Sequence, residues 1–148
     1  MKEAFHMTRS MRIGSTVLTA LLRAGVPLGS LALFSVRGRK SGKMSTTPVA
    51  LVEQNGTRFL VAAFGEVNWV RNLRAAGSAQ LTSRRRTEAI RVVELEVREA
   101  APILKLFLLK YSVVPFIPPY FDVAPRSSLA DFEREATQHP VFRLVNGV

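Results

Sequence analysis

The chain contains no cysteine among its 148 residues. That excludes disulfides, thiolate metal ligands and a cysteine nucleophile, and it suits a reducing cytoplasm. Histidine is nearly as scarce. His6 and His139 stand near opposite ends, the second directly before Pro140, so a metal site has little to be built from. Tyrosine occurs twice, at Tyr111 and Tyr120, and tryptophan once, at Trp69. Acidic residues are also few: 11 Asp plus Glu stand against 21 Lys plus Arg, for a net charge of +10. An imbalance of that size implies anionic company, whether nucleic acid, acidic lipid or an acidic small molecule.

A hydrophobic share of 47% supplies one core for a single folded domain. The positive charge is concentrated in the middle of the chain. Between residues 37 and 91 stand eleven cations (Arg37, Arg39, Lys40, Lys43, Arg58, Arg71, Arg74, Arg84, Arg85, Arg86 and Arg91), opposed by Glu53, Glu66 and Glu88. The densest part is Gly38-Arg39-Lys40-Ser41-Gly42-Lys43-Met44-Ser45-Thr46-Thr47-Pro48. Its glycines let backbone amides turn toward a ligand, and its cations supply donors and charge, so the segment suits a phosphate or carboxylate. The G-x-x-x-x-G-K-[ST] spacing of a P-loop is absent. An ordinary solvated polar turn is the competing reading.

Residues 1–28 read as a basic, amphipathic N-terminal segment, with a helix over Ile13–Ala24 and a turn at Gly25, Pro27 and Gly29. Arg23 and the glycine–proline break argue against a membrane span over Ile13–Val36, and no small-residue cleavage site marks a signal peptide. A helix lying on a membrane surface fits the same residues. Residues 29–148 read as the folded domain. A strand is expected at Leu31–Val36 and another at Pro48–Gln54. The hairpin pair Asn55-Gly56 and a returning strand Arg58–Phe64 follow. Asn68–Ala76 reads as a helix ended by Gly77, with Trp69, Leu73 and Ala76 on one face. Ala79–Ser83 and a longest strand Thr87–Val97 flank a turn at Arg84–Arg86. Glu99–Tyr111 reads as a buried helix, and Val113–Pro125 as an aromatic, proline-stiffened loop. Ser128 then starts a helix that ends before Pro140, and Val141–Val145 is a final strand. Strands linked by tight turns give an α+β fold, a mainly antiparallel closed or split β-barrel with helices packed outside.

A second segment bears on the basic loop. Ala62-Ala63-Phe64-Gly65 places small residues at a strand end, where a flat ligand can approach the backbone. The helix that starts soon after carries Trp69 and Asn72, and its first amides and dipole favour an anion. Trp69 reads equally well as a core anchor, and Asn72 as a solvent contact.

Together the G-R-K-S-G-K-x-x-T-T-P run and A-A-F-G-x-x-x-W-x-x-N-L-R-A resemble the deazaflavin-dependent nitroreductase family over roughly residues 30–98. The resemblance implies a split barrel of the FMN-binding flavin-reductase type, coenzyme F420 as cofactor with FMN as the alternative, and a homodimer. It implies that Arg39, Lys40 and Lys43 grip the phosphate and oligoglutamate tail. Ser45 stands where members often carry Arg. Thr47 and Pro48 would sit beside the deazaflavin or its ribityl chain, and Ala62, Ala63, Phe64 and Gly65 would line the ring. Trp69 and Asn72 match the family's W-x-x-N signature, with Val70 where an aromatic or His is common. Tyr120 or Tyr111 would stand on the acceptor side as proton donor.

The resulting expectation is an F420H2-dependent reductase that passes a hydride to a quinone or nitroaromatic, in the cytoplasm or peripherally at the inner membrane face. The alternative is a non-catalytic split-barrel protein that binds F420, FMN, a fatty acid or another small ligand. Nucleic-acid binding is disfavoured, because the aromatics do not interleave with the basic residues as a stacking platform requires.

Overall fold

A computed structural model of the protein describes residues 31–83, 85–111 and 120–146. The expected helix Ile13–Ala24, the turn at Gly25, Pro27 and Gly29, Arg84, and the proline stretch with Pro115, Phe116, Pro118 and Pro119 lie outside the described residues, as does the proposed N-terminal segment 1–28. Six strands are present: β1 (Leu31–Arg37), β2 (Met44–Gln54), β3 (Thr57–Val61), β4 (Ser78–Ser83), β5 (Arg86–Glu94) and β6 (Val141–Asn146). They close into a barrel in the order β1-β2-β3-β6-β5-β4, and every pairing is antiparallel. Among the described residues three helices accompany it: α1 (Asn68–Ala76), α2 (Val97–Tyr111) and α3 (Leu129–Ala136). Among the described residues no helix is long and apolar enough to cross a membrane.

Local chemistry accounts for most of the boundaries. Asn55 (φ 53°) and Gly56 (φ 79°) both adopt positive φ, the type I′ geometry that matches strand twist, and they close the β2–β3 hairpin. Gly77 ends α1 in the left-handed region at φ 73°, and its amide donates to Leu73 O at 2.7 Å. The Ser128 hydroxyl accepts from the Asp131 amide at 3.2 Å and caps α3.

The strand period of two sorts β3 and β6 between two cores. Leu60, Phe142 and Leu144 join Ala32, Phe34, Val36, Val49, Leu81 and Ile90 in a cluster fed by all six strands, which is the barrel interior. Phe59, Val61 and Val141 point the other way, onto Ile103, Leu104, Phe107 and Leu108 of α2 and Phe132 of α3. Fully burying a side chain such as Phe107 or Phe132 contributes about 2 kcal/mol, and this helps hold α2 despite the backbone donor missing at Pro102. Helix α1 adds Val70 and Leu73 to the interior cluster, so it covers one end of the barrel.

Four expectations need correction. Strand β2 begins at Met44 rather than Pro48. Among the described residues, 44–50 pair with β1 alone, so the missing amide of Pro48, opposite Leu33, is carried on a strand with one described partner at that point. At eleven residues β2 is therefore longer than the nine-residue β5. Strand β3 stops at Val61, because Ala63 and Gly65 turn the chain back: their amides donate to Val61 O at 3.0 Å and Ala62 O at 3.1 Å. The buried face of α1 is Val70, Asn72 and Leu73, with Trp69 half-buried and Ala76 exposed.

Candidate functional site

The basic segment is the tip of the β1–β2 hairpin. The Gly38 amide donates to Lys43 O at 2.8 Å, and the Gly42 amide to Gly38 O at 3.0 Å. Gly42 sits at φ 71°, and a Cβ on Gly38 would fall 2.7 Å from Ser41 Oγ and 3.2 Å from Lys43 O. Both glycines are therefore needed for so tight a tip. Arg37 Nη1 braces it by donating to Gly42 O at 2.9 Å. Arg39, Lys40 and Lys43 are exposed, and among the described residues no carboxylate pairs with any of them.

Asn72 places the tip. It is buried to 8% exposure, and its Oδ1 accepts from the Arg39 amide at 3.1 Å and from Arg39 Nη1 at 2.7 Å. One side-chain oxygen thus holds both the backbone and the guanidinium of the first cation, and among the described residues the guanidinium's other donors have no partner. The asparagine of the W-x-x-N segment works through Arg39 rather than pointing into solvent. Trp69 meets the edge of Phe34 at 5.7 Å and lies 6.4 Å from Phe142, so it anchors α1 on the barrel interior. Val70 is fully buried beside it, and the departure from an aromatic or His at this position is absorbed in the core. The N-cap Val67 makes no side-chain capping bond, and the first turn holds no acid.

Thr47, Pro48, Ala62 and Ala63 flank a parting of two strands. Pairing of β2 with β3 runs from Gln54↔Thr57 to Leu51↔Leu60 and then ceases. The same register would set Pro48 against Ala63, but β2 there follows β1, while the Ala62 amide bonds Pro140 O at 2.9 Å. Small side chains border the opening, and Gly65 turns at φ 86° with Gln138 O 3.4 Å from where a Cβ would stand. Ser45 is exposed opposite Val36, next to the basic tip. Thr46 Oγ1 and Ser35 Oγ lie 2.7 Å apart across the same hairpin.

Beyond the parting lies a cleft of about 300 Å³ lined by Phe64, Gly65, Glu66, Tyr120, Thr137, Gln138 and His139. Tyr120 meets the edge of Phe64 at 5.1 Å. Tyr111 stands elsewhere, tilted on Phe107 at 4.8 Å with its hydroxyl donating to Leu51 O at 3.2 Å. Of the two tyrosines, Tyr120 is the one that shares a cleft with Phe64 and Gly65.

Some of the basic charge is spent on structure. Arg74 bridges Glu94 (2.8 Å) and Glu66 (2.7 Å), and these hydrogen bonds, Glu94's foremost, hold its guanidinium above the ordinary value against a burial cost. Arg58 grips Glu88 at 2.6 Å, and this bond, outweighing burial, holds the carboxyl below its ordinary 4.5. Sequence reasoning missed one group entirely. His139 is 2% exposed, with Nδ1 2.9 Å from Ala62 O and Nε2 2.9 Å from Tyr120 O and 3.1 Å from Glu135 Oε1. The available signal was Glu135 four residues ahead of it at a helix end.

The family model of the F420H2-dependent quinone reductases matches residues 5–113. No curated protein matches. Among solved structures, an F420-H2 dependent reductase, FDR-A, is 26% identical at a TM-score of 0.53, covering 78% of this chain and 94% of that one. A second, described as a domain-swapped dimer, is 25% identical at a TM-score of 0.55, covering 88% of this chain and 92% of that one. The chain belongs to the F420H2-dependent quinone reductase family; it is an oxidoreductase whose cofactor is F420.

Proposed function

We propose that the protein reduces a quinone or another electron-poor acceptor such as a nitroaromatic, with the cofactor's anionic end on the hairpin tip and its ring at the parting of β2 and β3. The observation that carries this reading is the double hydrogen bond from Arg39 to Asn72 Oδ1. It fixes an otherwise exposed cation beside α1, and α1 follows directly from the Ala62–Gly65 turn. The residues suit the group. Arg39, Lys40 and Lys43 are cations without carboxylate partners among the described residues, and the four residues flanking the parting are small or flat.

Bound F420H2 supplies a hydride from C5 of its deazaflavin; the protein's own residues supply the rest. Arg39, Lys40 and Lys43 bind charge remote from the reacting carbon, and that binding energy is spent on orientation. Thr47, Pro48, Ala62, Ala63, Phe64 and Gly65 border the ring, and Ser45 extends the tip. Trp69 and Asn72 support the wall. Tyr120, in the cleft beside Phe64, faces the acceptor and delivers a proton as the acceptor gains charge, whereas Tyr111 supports α2. A homodimer is part of the proposal, supported by the neighbour described as a domain-swapped dimer.

The test is absorbance-monitored oxidation of F420H2 by the purified full chain with a soluble naphthoquinone and with a nitroimidazole. Turnover with the quinone is expected. Binding of F420 without oxidation by either acceptor contradicts the acceptor assignment. Light scattering at micromolar concentration checks the dimer.

A further inference from the structure

His139 is a buried, multiply bonded group that the proposed chemistry does not use. Its ring stacks on Phe121 at 4.0 Å and 11°, which fixes its plane. Within that plane Nδ1 addresses Ala62 O and Nε2 addresses Tyr120 O, each at 2.9 Å. A carbonyl oxygen only accepts, so a ring N–H directed at either one is satisfied within the protein. Glu135 Oε1 stands beside the ring, 3.1 Å from Nε2; Glu135 is 4% exposed and also accepts from the Asp122 amide at 3.3 Å. Such a buried polar cluster is costly unless each member is satisfied, so it calls for a reason.

The two carbonyls supply that reason. Ala62 opens the turn that borders the cofactor ring, and Tyr120 is the acceptor-side aromatic. Among the described residues no backbone hydrogen bond joins these segments; besides the Phe64–Tyr120 ring contact, the imidazole bonds to both from just beyond α3. We propose that His139, held by Glu135, is a positioning residue that sets the spacing between the cofactor-bordering turn at Ala62 and the acceptor-side Tyr120. The inference rests on the reading of the site given above. It assigns His139 no contact with the cofactor or the acceptor.

The experiment combines one spectrum and one variant of the full chain. Nitrogen-15 labelling of histidine reports His6 and His139 alone. For His139 a slowly exchanging ring N–H signal is expected, because the ring is 2% exposed and bonded to carbonyls, and it should move when F420 is added. His139→Gln keeps donors on one atom and cannot span both carbonyls. It should lower kcat for the quinone about tenfold to a hundredfold, with F420 affinity and acceptor KM changed less than about threefold, as expected when reacting geometry rather than binding is lost. A His139 ring signal that exchanges like a free side chain, or His139→Gln with parent kcat, overturns the proposal. Should that variant fail to fold, a parent ring signal left unmoved by F420 overturns it by itself. Failure of the parent chain to bind F420 overturns the cofactor reading instead, and the two failures are thereby told apart.

Discussion

The hairpin tip at Gly38–Lys43 and the seam at Ala62, Tyr120, Glu135 and His139 are both polar and both carry ionisable side chains, but water reaches them very differently. At the tip, Arg39, Lys40 and Lys43 are exposed, and a single buried oxygen, Asn72 Oδ1, holds Arg39 in place. In the seam, His139 and Glu135 are 2% and 4% exposed, and each makes several bonds. A charge in water is inexpensive, screened and free to meet a ligand. A charge out of water must be satisfied within the protein and stiffens whatever it touches. On the proposed reading the tip recognises charge and the seam holds geometry. Substitutions in the seam should be felt in stability and turnover, and substitutions in the tip in affinity and salt dependence.

The largest effect should come from the seam. His139→Ala strands the Ala62 and Tyr120 carbonyls and takes the imidazole from the buried Glu135, at about 3 kcal/mol or more of stability. Urea denaturation measures it, and a loss below about 1 kcal/mol would erase the contrast between the two regions. Next is Asn72→Ala, which frees Arg39 while exposing little apolar surface. F420 affinity should weaken about tenfold with a stability loss near 1 kcal/mol, read by fluorescence titration and urea melts on the same sample. Lys40→Ala and Lys43→Ala should each weaken F420 about fivefold at low salt and progressively less as salt rises, with stability unchanged within about 0.5 kcal/mol. Ser45→Arg should tighten F420 a few-fold by adding a cation to the same tip; no gain would mean that the tail lies elsewhere.

The smallest effect belongs to a third pair. Arg58 holds the Glu88 carboxyl below its ordinary 4.5. The folded value is the lower one, so the stabilisation is complete above about pH 4.5 and is lost as pH falls through the folded value. The Glu88 side chain is 42% exposed, so screening keeps the contribution below about 1 kcal/mol. Glu88→Gln should flatten the acid limb of stability against pH by that amount and leave F420 binding alone.

The contrast also explains what could be read from the sequence. Asn55-Gly56, Gly77 and Ser128 are local devices whose chemistry is complete within four residues, and the barrel's hairpins follow from them. The two motifs of the tip and α1 were legible as motifs. Their joining through Asn72 and Arg39 was not, since 33 residues separate the partners. Pro48 reads as a strand start, but the strand begins at Met44, and among the described residues it has β1 as its one partner there; the local sequence carries no sign of that pairing. His139 looked like a lone histidine before a proline. Its partners Ala62 and Tyr120 are supplied by topology, and no spacing rule connects them.

The measurement that tests the account most directly compares full-length F420 with the same deazaflavin truncated at its ribityl chain, titrated into the purified chain at low and high salt alongside FMN. If the hairpin tip is the anion clamp, F420 binds about a hundredfold tighter than the truncated form, the gap narrows as salt rises, and FMN binds weakly. Equal affinity for the two deazaflavins, or micromolar FMN binding with none for F420, contradicts it.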